Sequence, residues 1–223
     1  MGYARSRVRP PRRVAREVAR RLEALADPQA AARGRTFFKQ GEAVTLYGVR
    51  GPAMRSLARE IYSQVKQSSN ETHAIELCDI LARHDHFEAK MVDVLVLSRY
   101  HRQFPRHLLE TSRRWIEAGW FANWAAIDGL CPNILTPLIQ RYPEYLPRVT
   151  QWVRSRDRWL RRTCLITLLP LARRGRHLDE SYAAVAELLD DPEDLIHKAC
   201  GWLLREAGRA DLHRRRLLVQ TRN

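Results

Sequence analysis

Apolar residues recur three and four positions apart along almost the whole chain, as in Leu57, Ile61 and Val65 or in Met91, Val94, Leu95 and Leu97. Alternating, strand-like runs are nearly absent. A period near 3.6 gathers apolar side chains on one face of a helix, so the pattern predicts an all-α chain. Asp27-Pro28, Gly51-Pro52 and Asp191-Pro192 mark helix entries, each placing a proline in a first turn, where its missing N–H costs nothing. Roughly a dozen helices follow from these breaks.

The helices come in pairs at a regular interval. Trp115-Ile116, Trp152-Val153 and Leu188-Leu189 precede polar turns, in steps of 37 and 36 residues. A second helix then opens with Trp124, Trp159 and Leu195, in steps of 35 and 36. Two helices per unit of this length predict an α-solenoid of HEAT-like, armadillo-type repeats, with one row of helices lining a concave groove. Only the arginine-rich arm at residues 1–13 stands apart, which leaves 14–223 as a single domain. The arm lacks the apolar core and cleavage site of a secretory signal and runs into the amphipathic stretch Val14 to Ala26. The longest apolar run, Leu165 to Ala172, is far short of a bilayer span. The expectation is a cytoplasmic monomer with no membrane contact, associated with the nucleoid through DNA.

That partner is read from charge. The chain has 39 Lys and Arg against 25 Asp and Glu, a net charge of +14, mostly from arginine. Guanidinium forks suit phosphate, and the summed field attracts a polyanion whatever its sequence. An arginine-rich proteome would raise the charge without function, so charge alone leaves nucleic-acid binding open. Cys78, Cys131, Cys164 and Cys200 are scattered in apolar helical patterns and read as buried free thiols in reducing surroundings. His84-Asp85-His86 has no further ligands at helical spacing and reads as a solvated loop. No glycine-rich phosphate loop follows a strand, and no Ser or Cys nucleophile stands with its base. Metals and nucleotide cofactors are not implied.

Trp124 and Asp128 lie one turn apart on one helix face. Asp128 interrupts the apolar stretch Ala126, Ile127, Gly129, Leu130, Cys131 and has no cation at one-turn spacing. Trp202 occupies the second helix of a later pair, and Arg162 the helix between. A tryptophan taken blindly is a packing residue, the expected role of Trp115, Trp120, Trp152 and Trp159. Pairing with a carboxylate sets Trp124 apart.

Four segments together resemble the AlkD-type DNA alkylation repair glycosylases, a family built from HEAT-like repeats. They are Leu46 to Pro52 with Arg55, Trp124 with Asp128, Trp159-Leu160-Arg161-Arg162, and Lys198 to Glu206; the likeness runs from about Arg35 to Gly208. The resemblance implies hydrolysis of the N-glycosidic bond of cationic N3- and N7-alkylpurines in double-stranded DNA, leaving an abasic site. It implies Asp128, Trp124 and Trp202 as catalytic residues around the lesion's deoxyribose. It also implies Arg162 on a backbone phosphate, with Phe37, Arg50, Lys198 and Arg205 as further DNA-binding residues. Asp194-Leu195 and Pro170 depart from the family pattern, and each implies a lost DNA contact.

The implied chemistry is coherent. An alkylated purine is already cationic and leaves without a proton donor, so the second carboxylic acid of ordinary glycosidases is unnecessary. No lysine accompanies Asp128 to form a Schiff base, which favours a monofunctional enzyme. The rival expectation is a non-catalytic HEAT-like scaffold that binds DNA or protein through the same groove.

Overall fold

The computed structural model describes residues 9–39, 42, 44–67 and 69–220, with side chains as far as residue 212. The basic arm expected at 1–13 lies largely outside these residues. Its last part, however, is helical: α1 spans Pro11–Ala24, because Pro11 fits a first turn as well as Val14 would. Among the described residues the fold is all-α, with one isolated parallel bridge between Thr45 and His86 and no strand. No helix among them is long and apolar enough to cross a membrane. The chain forms two compact units, Met1–Leu108 and Leu109–Asn223.

The first unit contains α1, α2 (Pro28–Arg35), α3 (Gly51–Val65), α4 (Glu71–Leu81) and α5 (Phe87–Leu97). Val14, Val18 and Leu22 form a four-spaced stripe on α1 that packs with Leu57, Ile61 and Val65 of α3, Leu77 and Leu81 of α4, and Val92 and Val96 of α5. Each such buried side chain is worth about 1.5–3 kcal/mol of transfer free energy. The entries behave as their residues dictate. Asp27 caps α2 by accepting from the Ala30 N–H at 2.9 Å, with Pro28 following.

The Leu46 to Pro52 segment is held by a buried carboxylate. Glu88, 2% exposed in the first turn of α5, accepts N–H bonds from Tyr47 (3.0 Å), Gly48 (2.8 Å) and Val49 (3.2 Å). Gly48 has φ +81°, and a Cβ there would stand 2.2 Å from the Asp27 carbonyl oxygen, so only glycine fits.

The second unit contains α6 (Leu108–Glu117), α7 (Trp124–Leu130), α8 (Thr136–Arg141), α9 (Leu146–Thr150), α10 (Arg158–Ala172), α11 (Leu178–Ala186) and α12 (Asp194–Gln220). The pairing read from the repeat interval is visible here: Trp115 and Ile116 close α6, and Trp124, Trp159 and Leu195 fall in the opening turns of α7, α10 and α12. Helix α10 is buried along almost its whole length and packs against α7, α8, α11 and α12. One entry is corrected. Pro192 precedes α12 rather than sitting in its first turn, because Asp191 takes the Glu193 N–H at 2.9 Å and holds the chain out of the helix until Asp194. All four cysteines are buried and free.

Candidate active site

The helix carrying Asp128 starts on a defined cap and then bends. The Asn123 side chain accepts from the Ala126 N–H at 2.8 Å, which makes Trp124 the first residue of α7 and places Asp128 one turn later. Pro132 has no N–H to give to the Asp128 carbonyl four residues back. Residues Cys131–Leu135 accordingly open into a π-helical turn before α8 resumes the ladder. Asn133 donates its side-chain amide to the Gly129 carbonyl at 2.8 Å and covers one of the acceptors released by the bend.

Asp128 is met by Arg162 from α10. Arg162 Nη2 donates to Oδ1 at 2.8 Å and Oδ2 at 2.9 Å, while Nε donates to Oδ1 at 3.1 Å. Its other terminal nitrogen, Nη1, donates to the Leu195 carbonyl in the first turn of α12 at 2.7 Å. One guanidinium thus ties α7, α10 and α12 together. Burial pushes the Asp128 carboxyl above its usual range, against the Arg162 guanidinium that pulls it down, and burial prevails. The Asp128 side chain keeps 20% of its surface open, while that of Arg162 keeps 6%.

This placement bears on two expectations. Asp128 has a cationic partner, supplied from 34 residues away rather than from its own helix. Arg162, which the resemblance places on a backbone phosphate, donates to Asp128 and to the Leu195 carbonyl and so orients the carboxylate. Its neighbour Arg161, which carried no role in the sequence reading, holds Asp191 through Nε at 2.6 Å and the carbonyls of Ser155 and Arg156 at 2.9 and 3.0 Å. The two adjacent arginines each grip an aspartate on another element. Helical spacing does not reveal such pairs.

The tryptophans divide by exposure. Trp115, Trp152 and Trp159 are buried core, as expected. Trp124 and Trp202 are half-buried, as is Trp120, which was expected to pack. Trp124 shares α7 with Asp128. Trp202 lies seven residues after Leu195 on α12, about two turns and 10 Å along the same stripe.

The remaining candidates are surface groups. In the second unit Lys198 is exposed but pairs with Asp194 at 2.9 Å. Arg205 is exposed and makes no ion pair among the described residues, since Glu206 turns to Arg173 and Arg209 instead. In the first unit Phe37 is 75% exposed, and Arg50 is exposed at the N-cap of α3. The His84 to His86 segment is more than a solvated loop: the His86 ring stacks on Tyr47 with centroids 3.7 Å apart, and partial burial lowers the His84 pKa.

The fold and this arrangement define an all-α helical-repeat protein with one half-buried, arginine-held carboxylate beside an accessible indole. The model of the DNA alkylation repair enzyme family matches residues 18–223, and the chain belongs to that family. Among solved structures it is similar in fold to a predicted DNA alkylation repair enzyme from Enterococcus faecalis, with 17% identity, a TM-score of 0.72, and coverage of 83% of this chain and 84% of that one. No curated protein matches it. The family assigns the chain a role in repair of alkylated DNA.

Proposed function

We propose that the protein is a monofunctional glycosylase that excises cationic N3- and N7-alkylpurines from duplex DNA, with Asp128, Trp124 and Trp202 around the lesion's deoxyribose. The observation that carries the reading is the Asp128 carboxylate, oriented from behind by Arg162 yet open on one side and one turn from the half-exposed Trp124. As the C1′–N9 bond breaks, its electron pair neutralises the departing base and positive charge moves to the sugar. Asp128 opposes that charge and accepts a proton from the water that bonds to C1′, and the indole faces favour the same cation. These interactions are strongest in the transition state, so they raise the rate rather than the affinity for undamaged DNA. One carboxylate with no acid partner among the described residues restricts the substrate to bases already cationic.

The test is release of base from duplex DNA bearing N7-methylguanine. Wild-type protein should release it at least about 100-fold faster than Asp128→Asn, with duplex affinity within a few-fold, as expected for a transition-state electrostatic contact. Equal rates would remove the catalytic role. A salt-sensitive duplex affinity with no base release from either protein would favour the scaffold reading, for which the closed Asp128–Arg162 pair is purely structural.

A further inference from the structure

Three arginines in the opening turns of α10 reach across to the chain that enters α12. Arg162 holds the Leu195 carbonyl at 2.7 Å, and Arg158 meets the Glu193 carboxylate at 3.3 Å. The Arg158–Glu193 pair lies at the surface and contributes little. Arg161 is different: its side chain is 12% exposed and that of its partner Asp191 is 4% exposed. Nε donates to Asp191 Oδ2 at 2.6 Å and Nη2 to Oδ1 at 3.3 Å, while Nη1 reaches back to the carbonyls of Ser155 and Arg156 just before α10. Oδ1 of the same carboxylate also accepts the Glu193 N–H at 2.9 Å, which sets where α12 begins. One guanidinium thus ties the start of α12 to the start of α10, and it makes no hydrogen bond to Asp128 or Trp202 among the described residues.

The packing along α12 does little to fix its position lengthwise. Its buried apolar stripe is Ile196, Ala199, Cys200, Leu203 and Ala207, three of them small. Small side chains make shallow ridges, which interlock weakly with the grooves of a neighbouring helix. Position along the axis then falls to polar contacts. Further along, Glu206 pairs with Arg173 at 3.0 Å, but the Arg173 side chain is 57% exposed, so the buried grip at the entry is the stronger anchor. From Asp194 to Trp202 is about 12 Å of continuous helix, stiff enough to carry a shift at its entry to the indole. We propose that Arg161, acting through Asp191, is a positioning residue that sets the register of α12 and so holds Trp202 at the sugar on which Asp128 acts. The inference rests on the glycosylase reading and adds a residue to it. Cation–π attraction needs the cation over the ring face within about 6 Å, so a small slide of α12 weakens it in the transition state.

The experiment has two arms. In the first, single-turnover release of N7-methylguanine from a duplex is measured at saturating protein, well below the unfolding midpoint of each variant. Arg161→Gln should slow release about fivefold, less than the whole indole is worth, with duplex affinity changed by less than about twofold. Asp191→Ser should give the same loss, because its hydroxyl can still accept the Glu193 N–H but is too short to reach the guanidinium. Adding Arg161→Gln to Trp202→Ala should slow release no further, although the substitution weakens folding equally in both backgrounds. An unchanged rate in both single variants, or a further loss in the double variant, would overturn the proposal. So would failure of both single variants to fold, since the grip would then serve the fold as a whole rather than the register of one helix.

The second arm needs no turnover. The indole N–H resonance of Trp202, assigned by its loss in Trp202→Phe, should move in Arg161→Gln and in Asp191→Ser, while that of Trp115, buried in α6, should stay in place. A stationary Trp202 resonance, or equal movement of both, would overturn the proposal. Absence of base release by wild-type protein would instead defeat the glycosylase reading, and the resonances would still decide whether Arg161 sets the register of α12.

Discussion

Arg162 grips both oxygens of Asp128, at 2.8 and 2.9 Å, from a helix that begins 30 residues further along the chain. The pair is geometrically closed on the protein side and open on the other. Because the guanidinium also holds the Leu195 carbonyl, the same contact that orients the carboxylate locks the first turn of α12 to α10.

Removing one partner of this pair should be costly. Arg162→Gln leaves Asp128 half-buried without its cation and the Leu195 carbonyl without its donor, a loss of about 3 kcal/mol by analogy with broken buried pairs. Urea unfolding should show a lower midpoint with an unchanged slope. The salt dependence of duplex binding should keep its slope, whereas loss of a phosphate contact would reduce that slope by about 0.9. A reduced slope would show that Arg162 also contacts a phosphate.

The pH dependence of base release should carry the Asp128 signature. Its carboxyl titrates above its ordinary value of 3.8 in the folded protein, so the acid limb of the single-turnover rate should lie above that pH. In Arg162→Gln, which removes the opposing guanidinium, the limb should move further up. For stability the sign is reversed: a raised folded pKa contributes fully below 3.8 and is lost as pH rises through the folded value. The stability of wild type relative to Asp128→Asn should therefore fall across that window, as measured by urea unfolding at a series of pH values.

The tryptophans should separate kinetically. Trp124→Ala and Trp202→Ala should each slow base release by roughly 2- to 30-fold, the range that corresponds to a cation–π contribution of about 0.5–2 kcal/mol. Trp159→Ala, which empties a core position, should instead cost about 3–5 kcal/mol of stability, visible as a lower unfolding midpoint.

The Tyr47 to Val49 turn gives a prediction for the first unit. Gly48→Ala forces a Cβ to within 2.2 Å of the Asp27 carbonyl oxygen and a positive φ on alanine, so it should unfold or rearrange the turn. Glu88→Ala strands three backbone N–H groups and should cost about 3 kcal/mol or more. Amide exchange at residues 47–49 should accelerate in both variants.

What the sequence determined by itself is whatever depends on spacing along one helix. The 3.6 period, the roughly 36-residue interval and the proline-marked entries made the helices and their pairing legible. The one-turn step from Trp124 to Asp128 made a shared face legible. Pro132 was equally visible, yet its effect, a π turn just after Asp128, depends on how the bent helix packs on α10. The tertiary structure alone decided the charges. Arg161 and Arg162 are adjacent in sequence and chemically identical, and only the packing of α10 against its neighbours sends one to Asp191 and the other to Asp128. Glu206 follows Arg205 directly in the sequence, but the helix turns its carboxylate to Arg173 and Arg209. Periodicity encodes which face a side chain occupies, because backbone geometry sets it. Ion-pair partners 30 or more residues apart are set by how the elements pack, and a linear pattern carries no distance between them.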